Sequence, residues 1–408
     1  MYSLLMRMPI VILKPKEDLR IRQGHPWIYD NEIAVVEGRP EPGAEVRVLD
    51  SRKKLLGFAF FNPNSKIRAR IFSRTEERAD ADFFVEAFKS ALAWRQKFFN
   101  LDEQSVRMIF GEADSVPGLI VDRYVGLDEA TGKRGSWLST QFLSLGVETR
   151  KPIILRALAD VFQPDGVAER SDAPVRALEG MEIADGVLAG TIPESIVISE
   201  NRGSFAVSLR GGQKTGWFLD QRSNRAAAAR LAQGRRVLDV FCNQGGFGVV
   251  CALQGATSVL AVDSSREALV ATQKNASLNA VSDRVSTAEA NAFDLLRELE
   301  QQDQKFDMVI LDPPAFAKSR ATVKSAWRGY KEINVRALRL LQPGGVLVTC
   351  SCSYWFGDEL FDSMLEEAAT DCRRRYRLIE SRTQDLDHPI VSGYAESHYL
   401  KCRIVEII

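Results

Sequence analysis

The chain has 408 residues, 45% hydrophobic and 26% charged, and its 54 Lys+Arg balance 54 Asp+Glu for a formal net charge of zero. That length gives two or three domains, each able to bury a core, and the neutral balance excludes polyanion recognition by overall basicity alone. Six cysteines without a Cys-x-x-Cys pair exclude a zinc ribbon or a disulfide framework and point to no metal; free thiols suit a reducing cytoplasm.

The apolar stretch Pro9–Leu13 is too short for a signal sequence and no cleavage pattern follows it. No run nears the ~18 apolar residues of a membrane span, so the chain reads as soluble, cytoplasmic and without a membrane partner. Residues 9 to 75 read as short strands (Val46–Leu49, Leu56–Phe60, Ile67–Ile71) between turn formers such as Pro42-Gly43 and Asn62-Pro63-Asn64. That spacing predicts a small all-β barrel. In Ile67–Ile71 the alternation puts Arg68 and Arg70 on one face, either an edge-strand device or an RNA-facing surface.

From Ala81 to Phe99 apolar residues recur at 83, 84, 87, 88, 91, 92 and 94, the period of an amphipathic helix. Strand-like Val106–Phe110 and Gly118–Val121 follow, then an exposed loop at 128–135 and a helix near 152–162. From Gly166 further strands run to Val207, which makes a central α+β domain. After Gly216 strands and helices alternate, as in a doubly wound parallel sheet. Strands are predicted at 236–240, 258–262, 307–311 and 345–349, and helices at 266–279 and 330–341, the last stopped by Pro343-Gly344-Gly345. The division is 1–78, 79–208 and 209–408.

The α/β part carries the chemistry, because ligands of such sheets bind beyond the carboxyl ends of the strands. Val237–Val240 leads into Phe241-Cys242-Asn243-Gln244-Gly245-Gly246-Phe247-Gly248, where Gly245 and Gly246 allow a sharp turn and close approach of a ligand. The spacing is not the Gly-x-Gly-x-x-Gly of nicotinamide enzymes, which disfavours a dehydrogenase. Asp263 ends the next strand, where a carboxylate can accept both ribose hydroxyls of an adenosine. Asn291 opens a later helix, either as its N-cap or as an acceptor for an adenine amino group.

Asp312-Pro313-Pro314-Ala315-Phe316 follows an apolar strand. Prolines stiffen the chain and leave carbonyls aimed at a fixed place, so Pro313 and Pro314 suit an exocyclic amino group and the Asp312 carboxyl suits a ring nitrogen. Cys352 follows the next strand. Carbon 5 of cytosine is a poor nucleophile, and a thiolate added at carbon 6 overcomes this. A thiol is mostly protonated near neutral pH, so the site must favour its thiolate. The alternative is an inert buried thiol, a description that fits Cys350. His388, in Asp387-His388-Pro389, is a substrate contact, the base for the carbon-5 proton, or a satisfied structural histidine.

Charge is distributed unevenly. From Asn201 to Arg236 eight Lys+Arg stand against Asp220 alone; from Ala315 to Arg339 seven (Lys318, Arg320, Lys324, Arg328, Lys331, Arg336, Arg339) stand against Glu332. Such runs are ordinarily solvated faces, but both flank the segments above, where phosphates would be held.

Taken together, these segments resemble the bacterial methyltransferases of large-subunit (23S) ribosomal RNA that make 5-methylcytidine. The resemblance covers nearly the whole chain. It rests on Gly216–Arg222, Phe241–Gly248, Leu311–Phe316, Arg328-Gly329-Tyr330-Lys331-Glu332-Ile333-Asn334, Ser351-Cys352-Ser353 and Asp387-His388-Pro389. It implies an N-terminal PUA-like barrel, a central α+β domain and a C-terminal Rossmann-like sheet. It also implies S-adenosyl-L-methionine as cofactor, Cys352 as nucleophile with Asp312, and an unpaired or flipped cytosine of ribosomal RNA as substrate.

Cofactor contacts are expected from Gln221, Arg222, Phe241, Asn243, Gly245, Gly246, Asp263, Asn291 and Asp312. Substrate contacts are expected from Pro313, Pro314, Phe316, Lys318, Arg320, Arg328, Tyr330 and His388. Asn291 departs from the family's usual Asp. A homodimer is allowed. The competing readings are a guanine-N7 methyltransferase of ribosomal RNA, which needs no cysteine at 352, and a non-catalytic assembly factor that keeps the cofactor.

Overall fold

The computed structural model describes residues 8–209 and 216–408; Arg210 and Lys214 of the first basic run lie outside them. The chain divides into two compact units. One holds the described residues up to Ile198 with those of Val207–Leu219 and Leu386–Ser397; the other holds Ser199–Ala206, Asp220–Asp385 and His398–Ile408.

The first unit contains a six-stranded barrel-like sheet and most of a seven-stranded sheet. Strands β1 (Ile10–Leu13), β2 (Trp27–Tyr29), β3 (Ile33–Glu37), β4 (Glu45–Leu49), β5 (Leu55–Phe61) and β6 (Ile67–Ser73) lie in the order β2-β6-β5-β4-β1-β3. Val11, Leu13, Val46, Val48, Ala59 and Ala69 alternate inward and are fully buried, as period-2 patterning requires.

Strand β6 has a neighbour on each side, so it is not an edge. Neither sequence expectation holds for Arg70. It is 7% exposed and is paired to Glu112 (2.9 Å) and Glu179 (3.0 Å) of the same unit. Those two carboxylates hold the guanidinium charged against the cost of burial.

The second sheet comprises β7 (Val106–Phe110), β8 (Leu119–Asp128), β9 (Arg134–Phe142), β10 (Gly166–Ser171), β11 (Ala184–Gly190), β12 (Ser195–Glu200) and β13 (Gly203–Ser208). Its order is β11-β10-β9-β8-β12-β13, with β7 on β8. The loop expected at 128–135 is the tip of the β8–β9 hairpin, and Arg134 already pairs with Leu127. Helix Ala81–Gln96 is capped by Asp80 and ends before Phe99; its buried Phe84 lies against Phe88, which meets Phe162 of helix Lys151–Phe162.

The second unit is an α/β layer built on β14 (Arg236–Val240), β15 (Ser258–Asp263), β16 (Val285–Glu289), β17 (Phe306–Leu311), β18 (Leu341–Ser351), β19 (Tyr376–Arg382) and β20 (Lys401–Ile407). The order is β16-β15-β14-β17-β18-β20-β19. The first five are parallel, and β20 runs antiparallel to both of its neighbours. The central strands β14 and β17, buried on both faces, read as nearly continuous apolar runs.

The helix expected at 330–341 spans Val323–Leu340, because Ser319 and Thr322 bond to one another and start it early. Pro343-Gly344-Gly345 does not break the chain. It forms an irregularity inside β18, with Gly344 at φ +76°, where Phe306 pairs with Leu341 but Met308 with Val346. Among the described residues no helix is long and apolar enough to cross a membrane.

Candidate active site

Strand register brings the chemistry to one edge. Val262 pairs with Val240, Val240 with Leu311, and Leu311 with Thr349. The segments leaving four adjacent strands therefore emerge side by side: Asp263, the Phe241–Gly248 turn, Asp312 and, just past Ser351, Cys352. Strand order reverses between β14 and β17, and open α/β sheets bind ligands at such a switch point.

The turn is tightly wound. Phe241, Asn243 and Gly245 have φ of +63°, +49° and +78°, and a bulky residue held there is strained. A Cβ at Gly245 would lie 2.7 Å from Thr272 Cγ2, and one at Gly248 would lie 2.9 Å from both Asp239 Oδ2 and Val259 Cγ1. Gly246 opens helix Gly246–Leu253. The half-buried Asp263 carboxylate accepts the N–H of Asn243 (2.9 Å) and of Ser265 (3.0 Å). These bonds fix its direction, while further lone pairs on both oxygens suit a ribose diol. Asn291 is exposed and caps helix Ala292–Gln301, its Oδ1 accepting the Phe293 N–H at 2.9 Å.

Sequence reasoning passed over Asp239. It is 1% exposed; Oδ2 accepts the Gly248 N–H (2.8 Å), while Oδ1 has no hydrogen-bond partner among the described residues. Burial, more than the neighbouring Asp312 and Asp263, pushes its carboxyl up to about 8. An orphaned buried oxygen under the glycine turn is what a bound ammonium would satisfy. The signal was present in the sequence, as one acid inside the apolar run Val237–Val240. These features fit an adenosine cofactor with an amino-acid tail.

Asp312 is oriented from behind: Gln221 Nε2 donates to its Oδ1 (2.9 Å), and Asn224 Nδ2 donates to Gln221 Oε1 (2.7 Å). Arg222 instead faces acids within its unit, Asp385 at 3.2 Å and Glu200 at 3.8 Å. Pro313 is buried and Pro314 exposed. Cys352 is partly exposed, with Sγ 4.0 Å from the Pro313 carbonyl oxygen. Cys350 is buried opposite Cys402, and that cross-strand contact together with burial pushes its thiol well up.

Tyr330 is fully buried, so it does not present a surface to substrate. Its hydroxyl bonds Ser351 Oγ and Ser353 Oγ (both 2.9 Å) and accepts the Phe316 N–H (3.4 Å), tying the two loops together. Phe316 lies over its ring at 4.6 Å, and Gly329 leaves the room, since a Cβ there would come 3.2 Å from Phe316. Lys401 pairs with Ser351 across the sheet, is 1% exposed, and donates to the carbonyls of Ser353 (2.7 Å) and Tyr399 (2.9 Å). Burial brings its ammonium down to about 8.

His388 belongs to the first unit. It is 2% exposed and bonded through Nδ1 to Asp387 Oδ1 (2.7 Å), whose other oxygen accepts the Arg107 N–H. Among the described residues no group of three or more His, Cys, Asp or Glu is placed to hold a metal.

The basic runs part company in the structure. Arg222, Arg225, Arg230, Arg235 and Arg236 are taken by internal acids, amides or carbonyls, so the first run is largely a structural network. In the second, Lys331, Arg336 and Arg339 pair with Glu367, Asp371, Glu300 and Glu332. Lys318, Arg320, Lys324 and Arg328 are exposed. None of the four has an ion pair among the described residues.

A parallel sheet with a glycine turn, a half-buried acid and an orphaned carboxylate at its switch point is the setting of a cofactor-binding α/β enzyme. A family model for a PUA-like domain matches residues 11–74, and one for an S-adenosylmethionine-dependent methyltransferase matches residues 180–398. S-adenosylmethionine is thus the cofactor. Two solved structures share the fold at 19% identity. One is a candidate methyltransferase, SMU.776, complexed with SAH, with TM-score 0.83 over 97% of this chain and 99% of that one. The other is a candidate S-adenosylmethionine-dependent methyltransferase from Streptococcus mutans, at 0.82 over the same shares.

Curated relatives named Ribosomal RNA large subunit methyltransferase I are closer in sequence. That of Tolumonas auensis is 39% identical over 98% of this chain and 99% of its own. That of Erwinia tasmaniensis is 37% identical over 98% and 100%, and that of Aeromonas hydrophila 39% over 97% and 98%. The chain belongs to this family of S-adenosylmethionine-dependent methyltransferases.

Proposed function

We propose that this protein methylates carbon 5 of a cytosine in large-subunit ribosomal RNA, in the cytoplasm, through a covalent adduct with Cys352. The observation that carries the reading is the position of the Cys352 thiol, partly exposed at the switch-point edge and 4.0 Å from the Pro313 carbonyl. The relatives' name supplies the RNA class. We assign residues 1–78 to RNA binding, 79–208 to a central domain and 209–408 to catalysis.

S-adenosylmethionine, when bound, supplies an electrophilic methyl group. Asp263 would hold its ribose, Asp239 and the turn at Gly245 and Gly246 its amino-acid end, and Phe241 would border its base. The Cys352 thiolate adds to cytosine carbon 6, and the displaced electron pair moves towards N3, where a protonated Asp312 donates. Carbon 5 is then nucleophilic. After methylation it loses its proton to a base, the carbon–sulfur bond breaks, the thiolate returns, and N3 gives its proton back to Asp312. The carbonyls of Pro313 and Pro314 accept from the cytosine amino group. A paired base hides this edge, so the target is unpaired or flipped.

Nucleoside mass spectrometry of ribosomal RNA from a strain lacking the gene tests the reading. One 5-methylcytidine should vanish, and return with the parent gene but not with Cys352→Ala. Loss of a 7-methylguanosine instead would replace the proposal with its competitor.

A further inference from the structure

The connection between β18 and helix Asp358–Asp371 carries aromatic side chains that face opposite ways. Phe356 turns inward, fully buried, 4.9 Å from the Tyr330 ring and 5.9 Å from that of Trp327. Trp355 remains 44% exposed, and its one ring partner among the described residues is the half-buried Tyr354, edge-on at 5.3 Å. Folding gains little from a tryptophan left in water, since the stabilisation comes from the area it removes. A single exposed apolar residue needs no explanation by itself. What it stands beside does.

The Ser353 hydroxyl oxygen accepts the Ala317 N–H at 3.0 Å and meets the Tyr330 hydroxyl at 2.9 Å, which in turn accepts the Phe316 N–H. The aromatic loop and the segment after Asp312-Pro313-Pro314 are therefore hydrogen-bonded to one another. That segment and the helix it enters bear the cations without ion pairs: Lys318, Arg320, Lys324 and Arg328. No acid occurs from Ala315 to Lys331 or from Cys352 to Gly357. Asp358, the first acid beyond, is bonded to Arg403 at 2.6 Å. An aromatic face beside unneutralised cations is how proteins hold single-stranded nucleic acid, with bases stacked and phosphates tracked by charge.

We propose that Trp355, backed by Tyr354, is a stacking platform for an unpaired nucleobase flanking the methylated one, the four cations taking phosphates of the same strand. The inference rests on the RNA reading above and names its subsite. Stacking accepts any base, so Trp355 contributes affinity and register on the strand rather than base identity.

The test is titration of the full-length protein with a short unpaired oligoribonucleotide, comparing parent, Trp355→Ala and Trp355→Phe. Trp355→Ala should weaken binding about tenfold, with the salt dependence, S-adenosylmethionine affinity and thermal unfolding of the parent. Trp355→Phe should recover most of the loss. Equal affinity of parent and Trp355→Ala would overturn this inference and leave the RNA reading intact. A parent that does not bind the oligonucleotide at all would overturn the RNA reading itself.

Discussion

The two basic stretches have similar composition and opposite roles in the structure. Between 201 and 236 Arg222 and Arg225 face inward partners: Arg225 and Glu200 are both buried and joined by two hydrogen bonds of 2.6 and 2.9 Å. Between 315 and 328 the cations are exposed and make no ion pair among the described residues. A run of like charge in a sequence thus says nothing about its use until the acids that meet it are known. Those acids come from distant parts of the chain, such as Asp385 for Arg222 and Glu380 for Arg230.

Breaking the inward network should have the largest effect. Arg225→Ala removes the arginine bonded twice to the buried Glu200, and unfolding in urea should show a loss of about 3–5 kcal/mol, with the salt dependence of RNA binding unchanged. Asp263→Ala sharpens the contrast from the cofactor side. It should weaken S-adenosylmethionine by about 10- to 100-fold in calorimetry and leave RNA affinity alone. Charge reversal of the outward cations, Arg320→Glu with Lys324→Glu, should do the converse. RNA binding should weaken about tenfold, with a shallower dependence on salt, while unfolding and cofactor affinity stay at parent values. An Arg225→Ala protein that unfolds like the parent, or a double reversal that binds RNA like it, would erase the distinction.

A smaller effect concerns pH. Asp239 titrates near 8 in the fold instead of at its ordinary value of 3.8. Between those values the folded state holds a proton that the unfolded state has lost, so this group makes stability fall as pH rises from about 4 to 8. Asp239→Asn should flatten that decline, with a gain in thermal stability at pH 8 larger than at pH 5. Equal shifts at the two pH values would contradict the assignment.

The sequence made the parallel sheet legible because its strands are apolar on both faces, and it made the carboxyl-edge residues legible because each directly follows such a strand. Asp263, the glycine turn, Asp312 and Cys352 all lie where that rule puts them. What it hid depends on contacts distant in the chain. Arg70 read as a surface residue because Glu112 and Glu179 are 42 and 109 positions away. Tyr330 and His388 sit in recognisable motifs, but both are buried: the Tyr330 hydroxyl ties two loops together and His388 is bonded to Asp387. Asp239 and Lys401 were missed because a charge inside an apolar strand looks like noise until burial is known.

The central claim is covalent attack by Cys352, and RNA carrying 5-fluorocytidine tests it most directly, because fluorine cannot leave carbon 5 as the proton does. Parent and Cys350→Ala enzymes, given this RNA and S-adenosylmethionine, should form a denaturation-resistant protein–RNA adduct, and Cys352→Ala should form none. An absent adduct with the parent, together with full methyl transfer by Cys352→Ala, would contradict the account.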